Sequence, residues 1–216
     1  MAYFPFFTDI KDKSCLIVGR AYLVLEKAER LFPYEVKIDV IIDDENSDED
    51  KDSLSEIKKL DVTILKEKFN ISMLENYDFV VTCSADKNLN KIIADKCKNK
   101  RIPVNSVDDV ENCTFIFPAL IKKGKLSIGI SSSGASPYMT RYIKSKLSEI
   151  IPDNTEELLE RLESLRPYVK ENVPNESERK SVFKRLFLDF VDSEVLPNES
   201  DAAKKIEEIT KRNGHA

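Results

Sequence analysis

The sequence predicts an α/β protein: a parallel, doubly wound sheet domain, then a small α+β region, then a helical region. Three observations predict it. Short β-branched or aromatic runs alternate with helix-like segments over the first half of the chain. After about residue 113 the rhythm changes to two strands around a lysine-rich turn, and from Pro152 onward the pattern is helical only.

The elements follow in order. Ser14–Gly19 (SCLIVG) is an apolar run ending in glycine, and Leu23–Leu31 continues as a helix. Val36–Ile42, Val62–Leu65, Phe79–Thr82 and Ile102–Asn105 read as further strands. Between them lie a weak helix near Leu54–Leu60 and a stronger one over Asn88–Lys98, where Leu89, Ile92, Ile93 and Cys97 share a face. The run DDENSDEDKD at 43–52 reads as a solvated acidic loop. Phe115–Phe117, Leu120–Ile121 and Leu126–Ile130 supply two strands around Lys122-Lys123-Gly124-Lys125. Ser136, with Pro137 at the first helical position, opens a helix through Leu147. Asn154 with Glu157 predicts a capping box before Leu158, Leu159, Leu162 and Leu165. Another helix follows Asn175 and Glu178 and carries Val182, Leu186 and Val191, and a third covers 199–212.

Composition narrows the function classes. A chain of 216 residues, 41% hydrophobic and 34% charged, buries a sizeable core under a charged surface. The net charge of −5 argues against nucleic acid as the main partner, and no apolar run approaches the ~20 residues that cross a bilayer. The start, MAYFPFFTDIKDK, lacks a basic segment followed by an apolar one, so the expected compartment is the cytoplasm, with no membrane partner. Cys15, Cys83, Cys97 and Cys113 form no CxxC pair, and the lone histidine, His215, is next to last, so no metal site and no His-based triad is expected. Lys122, Lys123, Lys125, Arg141, Lys144 and Lys146 crowd one stretch that would attract an anionic ligand.

The chemistry starts at Cys15–Lys27, a strand, turn and helix placed where a dinucleotide-binding fold has its glycine-rich turn. Only Gly19 is present there, with Ala21 and Val24 at the second and third glycine positions. Arg20 is suited to reach a phosphate, and the N-terminus of the following helix favours an anion. Asp43 or Asp44 ends the second strand where an acidic residue would hydrogen-bond the adenosine ribose.

The opening YFPFFTDIKDKSCLIVG, the segment IPVNSVDD at 102–109, FIFPALIKKGKLSIGISSSGASP at 115–137 and the following RYIKSKLSEIIP resemble, in order and spacing, the precorrin-2 dehydrogenase module of siroheme synthases. The resemblance covers residues 1 to about 152, with the 105–137 block its strongest part. It implies a homodimer that oxidises precorrin-2 to sirohydrochlorin with NAD as hydride acceptor, with ferrous iron insertion as a further activity. A Rossmann-like dinucleotide-binding domain at 1–113, a dimerisation region at 114–151 and a C-terminal helical region at 152–216 follow from it.

The resemblance also carries residue roles. Asp108, in Asn105-Ser106-Val107-Asp108, matches the family's essential aspartate and would accept a proton from the macrocycle. Ser132 matches a family serine, although Ser133 replaces the usual glycine. With Asn105, Lys125 and Arg141 it would face a carboxylate-rich tetrapyrrole. Thr82-Cys83-Ser84-Ala85-Asp86 stands where the family borders its nucleotide, so Ser84 and Val107 join Gly19, Arg20, Ala21, Tyr22 and Asp43 on the cofactor side; Asn90 also agrees with the family pattern. The turn departs most, reading Gly19-Arg20-Ala21 where the family usually has three glycines. The alternative reading is a metal chelatase or tetrapyrrole-binding protein without NAD-dependent dehydrogenation.

Overall fold

In the computed structural model, residues 3–43, 48–191, 193 and 197–213 are described, and the chain divides into two compact units, Met1–Phe117 and Pro118–Ala216. The first is built on five strands: β1 (Ser14–Gly19), β2 (Lys37–Ile42), β3 (Thr63–Ile64), β4 (Phe79–Cys83) and β5 (Val104–Ser106). They lie in the order β3-β2-β1-β4-β5, and every pair is parallel. Successive side chains of a strand point to opposite faces, and in β1 both faces are buried. Cys15 and Ile17 pack on one side with Val24 and Ala28 of α1 (Ala21–Leu31). Leu16 and Val18 pack on the other with Ile93, Ala94 and Cys97 of α3 (Lys87–Lys100).

The acidic run does not form the expected loop. Residues 44–47, including Asp44, lie outside the described residues, and α2 (Asp48–Ile57) begins directly after them. Its buried positions Asp50, Ser53 and Ile57 recur at helical spacing, and Ile57 and Leu54 pack into the cluster that holds α1. Tertiary burial of one face therefore overrides the charge density of the other. The expected helix near Leu54–Leu60 begins earlier, and the Phe115–Phe117 run is not a strand. Its rings instead pack edge-on, with Phe79–Phe115 centroids 6.1 Å apart and Phe115–Phe117 centroids 5.5 Å apart.

In the second unit β6 (Ala119–Lys123) and β7 (Leu126–Ile130) form an antiparallel hairpin, followed by α4 (Pro137–Ile150), α5 (Thr155–Ser164), α6 (Arg166–Asn172), α7 (Glu176–Phe190) and α8 (Glu199–Asn213). Ser136 caps α4 as expected, its hydroxyl accepting from the Met139 amide at 3.2 Å. The capping box expected at Asn154 is not formed: the residue precedes α5 without a side-chain cap, and its amide group donates to the Ser193 carbonyl at 3.1 Å. A tertiary acceptor has captured that side chain. The helical core holds Leu158, Val169, Val182, Leu186, Phe190 and Ile206. His215 lies outside the described residues, and no described helix is long and apolar enough to cross a membrane.

Candidate functional site at the carboxyl edge of the sheet

Strand order reverses between β1 and β4, which makes the carboxyl ends of those strands the expected ligand crevice. Five of the expected residues gather there: Gly19 ends β1, Asp43 follows β2, Ser84 follows β4, and Val107 and Asp108 follow β5. The backbone ties them together. The Arg20 amide donates to the Cys83 carbonyl (3.2 Å), the Asp43 amide to Gly19 (3.2 Å) and the Val107 amide to Thr82 (2.9 Å). Gly19 is demanded by packing, because a Cβ there would lie 2.3 Å from the Cys83 carbonyl carbon.

The turn after β4 is clasped by Asn90. Its side-chain oxygen accepts from the Ser84 amide (3.0 Å) and the Thr82 hydroxyl (2.5 Å), and its NH2 donates to the Ser84 carbonyl (2.9 Å). The Ser84 hydroxyl accepts from the Asp86 amide. The turn after β5 is clasped by Cys113. Its sulfur accepts from the Ser106 amide at 3.2 Å and lies within donating distance of the Ser106 and Asp109 carbonyls. Between those anchors Asp108 stands exposed at φ 60°, a left-handed conformation that Asp tolerates better than most residues. Asn105 is buried beneath it and donates to the Phe115 carbonyl at 3.0 Å, so its amide braces the strand end. Cys113 and Asn90 are positioning residues; spacing alone gives no sign of the first.

Burial pushes the nearby thiols up, Cys83 to about 12 and Cys113 less far. Asp43 adds to the rise at Cys83 and Lys27 opposes it. Both thiols are therefore protonated at neutral pH and are poor nucleophiles.

The α1 N-terminus differs from the sequence expectation. Arg20 does not extend outward toward a phosphate: its Nη2 lies 3.3 Å from Oδ2 of the fully buried Asp50, and its guanidinium sits 4.8 Å from the Tyr22 ring centroid. Asp50 Oδ1 accepts from the Tyr22 amide at 3.5 Å. The physical reason is α2, which carries Asp50 against the start of α1. Ala21 is buried as the first helical residue. Asp43 is exposed after β2, and the start of α1 is engaged by the Asp50 carboxylate. In this conformation the turn does not fit a cofactor pyrophosphate.

The substrate-side residues of the second unit have local partners. The Ser132 hydroxyl donates to the Ser136 carbonyl (3.1 Å) and accepts from its amide (3.0 Å), folding the chain into α4. Lys125 pairs with Glu163 and Arg141 lies over the Tyr138 ring; both are exposed. Among the described residues no group of three or more His, Cys, Asp or Glu is placed to hold a metal.

A five-stranded parallel sheet with its reversal at β1/β4, a glycine at that crossing and an acidic residue after β2 defines a Rossmann-like dinucleotide-binding domain. Residues 6–119, over half the chain, match the family described as "Putative NAD(P)-binding", and the chain belongs to that family. It is similar to the siroheme synthase of Buchnera aphidicola subsp. Acyrthosiphon pisum, 30% identical over 94% of this chain and 42% of the relative. The siroheme synthase of Acinetobacter baylyi is 28% identical over 95% of this chain and 44% of its own length. The chain thus spans under half the length of these curated relatives. A solved structure described as "SirC, precorrin-2 dehydrogenase" has the same fold, with a TM-score of 0.68 at 22% identity over 97% of this chain and all of that one.

Proposed function

We propose that this chain is a precorrin-2 dehydrogenase, oxidising precorrin-2 to sirohydrochlorin with NAD as hydride acceptor. The observation that carries the reading is Asp108, an exposed carboxylate held at φ 60° just after the carboxyl end of β5, the strand next to β4. Membership of the NAD(P)-binding family and similarity to siroheme synthases support the same assignment. Asp108 would take the proton that the macrocycle loses as it is oxidised. Asn105, Ser132, Lys125 and Arg141 would serve the tetrapyrrole, the two cations pairing with its carboxylates. Gly19, Arg20, Ala21, Tyr22, Asp43, Ser84 and Val107 would border the cofactor once the start of α1 is open.

In this reading 1–113 binds dinucleotide, 114–151 forms a homodimer and 152–216 is a helical cover. Exposed Tyr138, Met139, Tyr142 and Ile150 on α4 support the dimer, since apolar side chains clustered on one helix commonly mark an interface. One observation favours a second reading. Asp50 at the phosphate position suits a chelatase that takes ferrous iron and sirohydrochlorin as substrates and has no dehydrogenase step.

The test is anaerobic incubation of the protein with precorrin-2 and NAD, followed by absorbance. Conversion to sirohydrochlorin is expected, and Asp108→Asn, which tolerates the same backbone conformation, should lower it by on the order of a hundredfold or more while leaving circular dichroism unchanged. Unchanged turnover in that variant would remove Asp108 from the reaction. No conversion by the natural chain, with sirohydrochlorin still bound, would transfer the assignment to the chelatase.

A further inference from the structure

We propose that Asp50 is a specificity-determining residue of the dinucleotide site: its carboxylate takes the place of a cofactor phosphate at the N-terminus of α1, so a dinucleotide binds only by displacing it. This rests on the NAD(P)-binding reading of the first unit. Two features that would receive a phosphate are both engaged by this one side chain. The Tyr22 amide donates to Asp50 Oδ1 at 3.5 Å, and Arg20 Nη2 lies 3.3 Å from Oδ2.

The arrangement is built into the fold. Asp50 is 0% exposed, and its helix is anchored by Ile57, also 0% exposed, in the cluster that contains Val24 and Ala28 of α1. A buried carboxylate needs donors and a compensating charge, and the helix N-terminus with Arg20 supplies both. The composition of the turn agrees. Glycines are needed where a pyrophosphate must approach the backbone closely, whereas a carboxylate delivered by a neighbouring helix reaches the Tyr22 amide with Ala21 already buried in the helix. A phosphate brought to the same amide would have to share it and Arg20 with a like charge, which disfavours it.

The experiment is titration calorimetry of the full chain with NAD, comparing the natural protein with Asp50→Asn. Asn keeps the volume and can still accept from the Tyr22 amide, but it carries no charge and so removes the ion pair with Arg20. NAD should bind about tenfold tighter to the variant. Equal or weaker binding overturns the proposal. Should the variant fold poorly, hydrogen exchange of the natural chain gives an independent reading: saturating NAD should speed exchange in α2 as Asp50 leaves, and unchanged or slower exchange there overturns it. Sirohydrochlorin binding, measured in parallel, separates this inference from the functional one. NAD tightening without tetrapyrrole binding upholds Asp50 and sinks the dehydrogenase, while tetrapyrrole turnover with no response to Asp50→Asn does the reverse.

Discussion

Gly19 and Gly134 separate two reasons for a glycine, and only one of them is legible in the chain. Gly19 invites a cofactor reading because it ends an apolar run before a helix, yet its spatial requirement comes from β4, some sixty residues away: an added Cβ would lie 2.3 Å from the Cys83 carbonyl carbon and 2.4 Å from its oxygen. Gly134, at φ +84°, has nothing within 4 Å of the same added atom. Gly19→Ala should therefore cost about 1–3 kcal/mol or more by overpacking, and Gly134→Ala only the roughly 1 kcal/mol of an unfavourable backbone conformation. Urea denaturation of the two variants checks the ranking, and equal losses would mean the β1–β4 approach is not tight. Asp50 was hidden for a different reason. Its partners Arg20 and Tyr22 lie far off in sequence, and the acidic run around it reads as a loop, so that its place on one helix face with Ser53 and Ile57 emerges only from the fold.

Elements were most legible where their signals are local. Ser136 and Pro137 mark the start of α4 because the hydroxyl needs only the Met139 amide, three residues on. Asn154 carries a similar signal and fails, because the distant Ser193 carbonyl competes for its side chain. The turn after β5 shows the same dependence on distance. Its conformation is held by Cys113, whose sulfur accepts from the Ser106 amide and meets the carbonyls of Ser106 and Asp109. Cys113→Ala leaves the part-buried Ser106 amide without that acceptor and should destabilise the protein by ~1–3 kcal/mol. Cys113→Ser, which restores a donor and an acceptor, should recover part of the loss. Chemical denaturation of both variants decides it: identical stability of Cys113→Ala and the natural chain would show that the turn holds itself.

At the scale of the whole molecule, the change of rhythm near residue 113 is close to the division between the two compact units, because parallel strands and helical bundles leave different hydrophobic periods in a sequence. The separation also fixes where thiols can act, since all four cysteines fall in the first unit. Burial there raises Cys15 well above its ordinary value of 9.0, Cys83 to about 12 and Cys97 to about 11. Each folded thiol keeps a proton that the unfolded chain gives up near pH 9.0. The resulting stabilisation is complete below that pH and is lost progressively as pH rises through about 11 and about 12. Unfolding monitored in urea should accordingly show a midpoint that falls between about pH 8 and about pH 11, and the fall should be smaller in a Cys83→Ala, Cys97→Ala double variant, whose lower starting stability reflects only the lost packing. If the double variant loses as much stability over the same interval as the natural chain, the alkaline transition belongs to lysine and tyrosine titration, and the buried thiols behave as apolar side chains alone.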